Sequence, residues 1–427
     1  MGEAANLDTG GQRLAGLRVA LFSGNYNYVR DGANQALNRL VGYLQRQGAQ
    51  VRVYSPRTAT PAFASMGKLV GVPSMSIPGR SEYRLSIALS PRVRRDLAEF
   101  APQVVHVSSP DWVGHRAVSW ARARRVPVLA SVHTRFETYP RYYNMAWIEP
   151  VIEAILRRFY RRCDALVAPS ESMAQVLREQ RMNYDIGIWS RGVDREVFNP
   201  ERRDLAWRRA QGIADEMVTI GFLGRLVMEK GLDVFADSID ELARRGIPHD
   251  VLVIGEGPAR EWFEARLPRA KFVGFQGGAD LARAVAGMDV LFNPSVTETF
   301  GNVTLEAMAC RVPVVAAAAT GSQSLVADRI SGRLIAPGAV HAFAEALRCY
   351  IEDPVLRADH GAAGSRRAAH TLIASCHSPS DDPPSPMNDT ATRFEPSREN
   401  AIAMPASVSV AIVSGDEGRR MPQSMSP

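Results

Sequence analysis

The sequence predicts an α/β protein built from two doubly wound halves in tandem. Short apolar runs alternate with longer segments whose apolar residues recur at helical spacing. The alternation runs twice, once on each side of a polar connector, "IGIWSRGVDREVFNP", at residues 186–200. The length, 427 residues, suits two domains with cores of their own. Strands alternating with helices imply parallel sheets covered on both faces.

The first half opens with "LRVALF" (Leu17 to Phe22), a strand. In "DGANQALNRLVGYLQRQG", Ala36, Leu37, Leu40, Val41 and Leu44 fall on one helical face. "AQVRVYSP" is the second strand, which completes a βαβ unit. "VVHVSS", "VPVLASVHT" and "DALVAPS" continue as strands. Helices are expected over "RAVSWARARR", Pro150 to Arg162 and Ser172 to Glu179. After the connector, "VTIGFLGR", "DVLVIGEG", "KFVGF", "DVLFNPS" and "VPVVAAAA" are strands. The helices between them are "GLDVFADSIDELARRG", "REWFEARL", "DLARAVAGM" and "NVTLEAMAC". From Ala368 to Pro427 the chain is rich in Ser, Pro, Asp and Met without a helical period, the composition of a disordered tail.

Hydrophobic residues make up 46% and charged residues 22%, as in soluble globular proteins. No apolar run reaches the roughly 18 residues of a membrane span, and the start lacks the pattern of a secretory leader. Cys163, Cys310, Cys349 and Cys376 stand far apart, without a CxxC pair, which argues for a reducing compartment and against a zinc site. Net charge is +6, compatible with nucleic acid, anionic lipid or phosphorylated ligands. The basic runs "PRVRRD" and "RRFYRRC" read either as solvated helix faces or as contacts to a membrane surface.

Lysine occurs only at Lys68, Lys230 and Lys271. Lys230 closes "GRLVMEKG", which follows a strand ending at Gly224 and precedes a helix. Ligands of open α/β sheets bind beyond the carboxyl ends of strands, where helix N-termini offer free N–H groups. Arg225 as a planar fork and Lys230 as a compact charge would suit a diphosphate; a turn with two solvated cations is the plain alternative. "NPSVTETFGNVTLEAMAC" also follows an apolar strand, and it spaces Glu298 and Glu306 eight residues apart. Gly301 lets a ligand approach the backbone. Glu306, four residues after Asn302 on the same face, can grip ribose hydroxyls, and Glu298 can meet a sugar. Without a ligand, Glu306 is an ordinary helix residue.

Together, "ETFGNVTLE", "GRLVMEKG", "RGVDREVFNP", "IGEGP" and "VAPSESMAQVL" resemble the motifs of the family 4, GT-B glycosyltransferases, in family order. "SPRVRRDLAEFAPQVVHVSSP" and "HTRFETYPRYYNMAW" are similar to its sulfoquinovosyl- and mannosyl-transferring lipid branch. The resemblance spans roughly Leu17 to Gly364. It implies two Rossmann-like domains around an interdomain cleft: a flexible 1–16, an acceptor-binding 17–190, a nucleotide-sugar-binding 191–367 and the tail 368–427. It implies that Arg225 and Lys230 neutralise the donor diphosphate and that Glu298 and His133 meet the donor sugar at the reaction centre. Glu306 would hold the ribose. Phe300, Gly301, Asn302 and Val303 would line the donor site, with Gly224 and Gly255 as its glycine turns.

The resemblance further implies retention of anomeric configuration. No DxD-type motif or pyridoxal-phosphate lysine is placed for the chemistry, so no metal and no cofactor are expected. The acceptor side is assigned to Gly24, Asp31, Gly32, Tyr139 and Arg141, from "SGNYNYVRDGANQ" and "ETYPRYYNMAW". The expected partners are a nucleotide sugar, a lipid or glycan acceptor and an anionic membrane surface, without nucleic acid. The expected location is cytoplasmic, at the inner face of the membrane. The last helix of this fold usually crosses back to the first domain, whereas here it is expected to dissolve into the tail. That departure leaves open a nucleotide-sugar-binding protein without turnover. Transfer to a soluble glycan is the other alternative.

Overall fold

The computed structural model describes residues 14–28, 32–77, 80–143 and 145–374. The first half runs β1 (Arg18–Phe22), α1 (Gly32–Arg46), β2 (Gln50–Ser55), β3 (Lys68–Gly71), β4 (Ser74–Ile77), β5 (Arg80–Ser86) and α2 (Pro91–Phe100). It continues with β6 (Val104–Val107), α3 (Trp112–Ala123), β7 (Val128–Ser131), α4 (Glu149–Tyr160), β8 (Ala165–Ala168), α5 (Glu171–Glu179) and β9 (Ile186–Ile188). Seven strands form a parallel sheet in the order β3-β2-β1-β6-β7-β8-β9, with β4 and β5 as a separate hairpin.

The second half runs α6 (Leu205–Ala210), β10 (Thr219–Leu223), α7 (Leu232–Arg244), β11 (Asp250–Ile254), α8 (Arg260–Arg266), β12 (Lys271–Phe272) and α9 (Gly278–Ala286). Then come β13 (Val290–Asn293), α10 (Asn302–Ala309), β14 (Val314–Ala317), α11 (Thr320–Leu325), β15 (Gly332–Ile335), α12 (Val340–Glu352) and α13 (Pro354–Ala374). Its six-stranded parallel sheet has the order β12-β11-β10-β13-β14-β15.

The strand alternation explains why both sheets are covered twice. Ala20 and Phe22 of β1 join one core cluster, and Val19 and Leu21 join the opposite one. In β11, Leu252 and Ile254 face one layer while Val251 and Val253 face the other. Leu37, Leu40, Val41 and Leu44 of α1 are buried, the face set by helical spacing. Trp189 belongs to the first half's core and Val193 and Phe198 to the second's, so the chain changes domain between residues 189 and 193.

The two halves touch through a seam of hydroxyls. Ser170, the N-cap of α5, donates to the Thr299 carbonyl at 2.8 Å. Ser172 Oγ lies 2.7 Å from Ser324 Oγ and also donates to the Thr320 carbonyl.

Sequence and structure differ in several places, and β3, α2, α6, α11, β15 and α12 were not among the elements expected from the sequence. The hairpin β4–β5 was not signalled by strong alternation. The connector's first residues, Ile186–Ile188, are edge strand β9, because they pair with Leu166 to Ala168. The tail expected from Ala368 begins inside α13, which extends to Ala374 and packs on α10, α11 and α12. Small residues at Ala362, Ala363 and Gly364 allow that close approach, and Gly364 lies against Met308 of α10. The rest of the tail, 375–427, lies outside the described residues.

Candidate active site

In each sheet the strand order reverses direction at its first strand, leaving a crevice at the carboxyl edge. In the second half the crevice lies between β10 and β13. The loops following these strands are Gly224–Gly231 and Pro294–Gly301, the two segments singled out by sequence.

Their backbones are closely fitted. Gly231 caps α7 in the left-handed region at φ 74°, and a Cβ there would stand 3.1 Å from the Pro294 carbonyl. Thr297 Oγ1 donates to the Glu229 carbonyl at 3.2 Å. Gly224 and Gly255 press together so tightly that a Cβ on Gly255 would overlap the Gly224 carbonyl. Arg225, half-buried, leaves this turn between Gly224 and Leu226, whose N–H is held by the Glu256 carbonyl at 3.0 Å.

Lys230 Nζ and Glu298 Oε1 form an ion pair, with 26% and 16% of the side chains exposed, so both remain within reach of the crevice. The Glu298 carbonyl accepts from Gly321 N–H at 2.8 Å and Thr320 Oγ1 at 2.6 Å, which anchors the loop from below. Phe300 is buried, Gly301 enters α10 at φ 95°, and Val303 is half-buried in its first turn.

His133 follows β7 and reaches this loop from the first domain. Its carbonyl accepts from Thr299 Oγ1 at 2.8 Å. Its Nδ1 accepts from Arg191 Nη2 at 3.1 Å, and its ring meets Trp189 edge-on at 5.5 Å. Burial, then Arg191, then His106 push its proton affinity well below the ordinary histidine range. Arg191 also lies over the Phe300 ring, 5.9 Å from its centroid.

Asn302 and Gly32 meet across the domains, since a Cβ on Gly32 would run into the Asn302 amide and stand 3.3 Å from Arg191 Nη1. Beside them a cavity of about 190 Å³ is lined by Arg39, Trp189, Arg191, Phe198, Asn302 and Glu306. Enclosure raises the Glu306 carboxyl to about 8; Arg39 opposes this shift and Glu298 adds to it. An empty site therefore holds Glu306 mainly protonated at neutral pH.

The acceptor-side expectations fare unevenly. Gly24 is buried at the first sheet's crevice, where its N–H is held by Ser109 Oγ at 3.2 Å. Asp111, the N-cap of α3, stands against it, its carboxyl raised to about 6 by burial. Arg141 is more than half exposed and forks onto Glu149, with Nε at 2.7 Å and Nη2 at 2.5 Å. The structure thus gives it a surface partner. Asp31 and the Tyr139 side chain lie outside the described residues.

Arg39, Trp189 and Arg191 were missed by sequence reasoning. Arg191 sat inside the quoted "RGVD", but spacing alone does not say where a guanidinium turns.

Comparisons with known proteins agree with this arrangement. Residues 30–197 match the model described as Glycosyltransferase Family 4, and residues 218–353 match Glycosyl transferases group 1. A sulfoquinovosyl transferase of Arabidopsis thaliana is 31% identical over 79% of this chain and 67% of its own. A GDP-mannose-dependent alpha-mannosyltransferase of Mycolicibacterium smegmatis is 33% identical, over 75% of this chain and 84% of that protein. Among solved structures, sucrose-phosphate synthase from Thermosynechococcus elongatus superposes with a TM-score of 0.67 at 18% identity, covering 83% of this chain and 94% of the other. Two doubly wound domains, facing crevices and these relatives lead to one conclusion: the chain belongs to glycosyltransferase family 4 and has the GT-B fold.

Proposed function

We propose that this glycosyltransferase moves a hexose, with retention and without a metal ion, from a nucleotide-diphosphate sugar to a lipid acceptor. The observation that carries this reading is the Lys230–Glu298 pair at the β10/β13 crevice. It puts a cation and a carboxylate side by side, on the loop that carries Arg225 and leads into α7. The diphosphate would lie against Arg225 and Lys230, which stabilise charge growing on the leaving oxygen. Glu298 would hold the sugar, and Glu306 the ribose. The anomeric carbon's bond to phosphate breaks as its bond to the acceptor oxygen forms on the same face. The acceptor's proton passes to the departing diphosphate.

GDP- and UDP-sugars are both candidates. The mannosyltransferase relatives are named for GDP-mannose, and one structural neighbour was solved with UDP-glucose. A lipid acceptor at the cytoplasmic membrane face is supported by an exposed ridge at Trp147, Val151 and Ile155. A streptococcal relative, 21% identical, is named as an alpha-monoglucosyldiacylglycerol synthase. Among the described residues no helix is long and apolar enough to cross a membrane.

The test is a donor panel, with release of nucleotide diphosphate measured in wild type, Lys230→Ala and Glu306→Gln. Release from one donor, lost in both variants, supports the reading. Binding without release, with any acceptor, would favour a nucleotide-sugar-binding protein. No binding to any donor would sink the assignment of Arg225, Lys230 and Glu306.

A further inference from the structure

We propose that Arg191 is a positioning residue: its guanidinium holds His133 as the neutral Nε2–H tautomer, so His133 serves transfer as a hydrogen-bond donor and not as its base. This rests on the glycosyl-transfer reading above for its meaning, but not for its test.

The geometry leaves little freedom. A guanidinium carries only donors, so the Nδ1 atom 3.1 Å from Arg191 Nη2 must present its lone pair. In the neutral ring the proton then resides on Nε2. That Nε2 is buried and has no hydrogen-bond partner among the described residues. A buried donor left without a protein partner is open to a bound molecule or a water. A donor-sugar oxygen has the right chemistry to accept from it.

The imidazole is held from several directions. Trp189 packs against its ring at an interplanar angle of 72°, and Thr299 grips its backbone carbonyl. The connector contributes the Arg191 charge. Strand β6 contributes His106, itself lowered to about 4 by burial, with its Nε2 2.9 Å from Ser131 Oγ. From the second domain, Glu298, paired with Lys230, stands one residue before Thr299. Burial and the neighbouring Arg191 charge keep His133 from taking a second proton.

The chemical consequence is specific. Nδ1 is occupied and Nε2 already carries hydrogen, so His133 has no lone pair to offer an acceptor hydroxyl. That agrees with the proposed course, in which the hydroxyl's proton leaves with the diphosphate oxygen as the new glycosidic bond forms. Arg191 achieves this from the connector while lying over Phe300, so one side chain spans the histidine of one domain and the donor loop of the other.

The test uses the full chain labelled with ¹⁵N-histidine, His133 being assigned by its loss in His133→Gln. Without any donor present, His133 should show a protonated Nε2 and an unprotonated Nδ1, with no titration near neutrality. Arg191→Met should give a mixture of the two neutral tautomers, since burial still disfavours the charged ring, and Arg191→Lys should restore much of the Nε2–H form. In turnover, Arg191→Met should lower kcat/KM roughly 10- to 100-fold, the range for partners that orient metal-bound imidazoles, and Arg191→Lys should recover much of that loss. An Nδ1–H form in wild type, or titration of wild-type His133 near neutrality, would overturn the proposal. So would an unchanged spectrum in Arg191→Met. Because the spectrum needs no substrate, failure to find a donor would defeat the transfer reading and leave the tautomer result standing.

Discussion

The hydroxyl of Thr299 donates to the backbone carbonyl of His133 across 2.8 Å, joining residues 166 positions apart. Thr299 lies one residue after Glu298, so the loop that carries this carboxylate also holds the first domain's histidine. Thr299→Val keeps the shape and removes the bond. A loss of about 1 kcal/mol, roughly a factor of five, is expected in the population of the closed arrangement. Steady-state kinetics should show kcat lowered by that factor with donor affinity nearly unchanged. An equal change in donor affinity would mean that the bond serves binding instead.

On the proposed reading, Lys230, paired with Glu298, also serves an incoming diphosphate. Lys230→Ala should reduce kcat by about 10²- to 10³-fold, the cost of removing a group that stabilises developing negative charge. Glu298→Gln releases the ammonium, so the free nucleotide diphosphate should bind more tightly while donor turnover slows. Calorimetry on both variants separates these effects. Weaker nucleotide binding in Glu298→Gln would contradict the shared-cation picture.

Glu306 supplies a pH signature. Its carboxyl is raised to about 8 in the empty site, whereas ribose hydroxyls donate best to a carboxylate. Donor binding should therefore release a proton at neutral pH. Affinity should climb as pH rises and level off above about 8. Calorimetry in two buffers of different ionisation enthalpy reads the proton directly, and Glu306→Gln should abolish both the release and the slope.

Along α4, Val151 and Ile155 are 55% and 54% exposed, and Trp147 just before the helix is 75% exposed. Arg158 is exposed on the same face, while Glu149 and Glu153 are turned aside and paired with Arg141 and Arg157. Apolar and cationic groups without a carboxylate suit an anionic lipid surface. The wild-type chain should float with anionic vesicles and less with neutral ones. Val151→Glu with Ile155→Glu should abolish flotation, because each buried aliphatic side chain contributes about 1.5 to 3 kcal/mol. Flotation unaffected by the pair would place the contact elsewhere.

Arg208 is fully buried and reaches Asp289 Oδ2 at 3.0 Å and the Met217 carbonyl at 2.9 Å. Asp289→Ala leaves that charge without its counterion. Equilibrium denaturation of the second domain should show a loss of about 3 to 5 kcal/mol. A loss below about 1 kcal/mol would show that the backbone carbonyls suffice.

Much of the site was legible because its signals are local. A glycine at a strand end, a cation at a helix start and carboxylates eight residues apart are fixed by short stretches of chain. The partner of Arg141 was not legible for the converse reason. Arg141 sits in an aromatic loop near the cleft, but Glu149, at the start of α4, takes its fork. The length of α13 was underestimated because its apolar contacts are made by small residues, which leave only a weak period.

The sequence by itself determined the tandem α/β alternation, the two faces of each strand and the two loops that flank the β10/β13 crevice. Those follow from two-residue and 3.6-residue periods and from residue type, which need no knowledge of neighbours. Only the tertiary structure decided that Lys230 meets Glu298, that Gly32 meets Asn302, and that Arg191 turns toward His133. These partners lie between 58 and 270 positions apart. They come together through the order in which strands join the sheets and the angle at which the two domains close, and no local pattern encodes either.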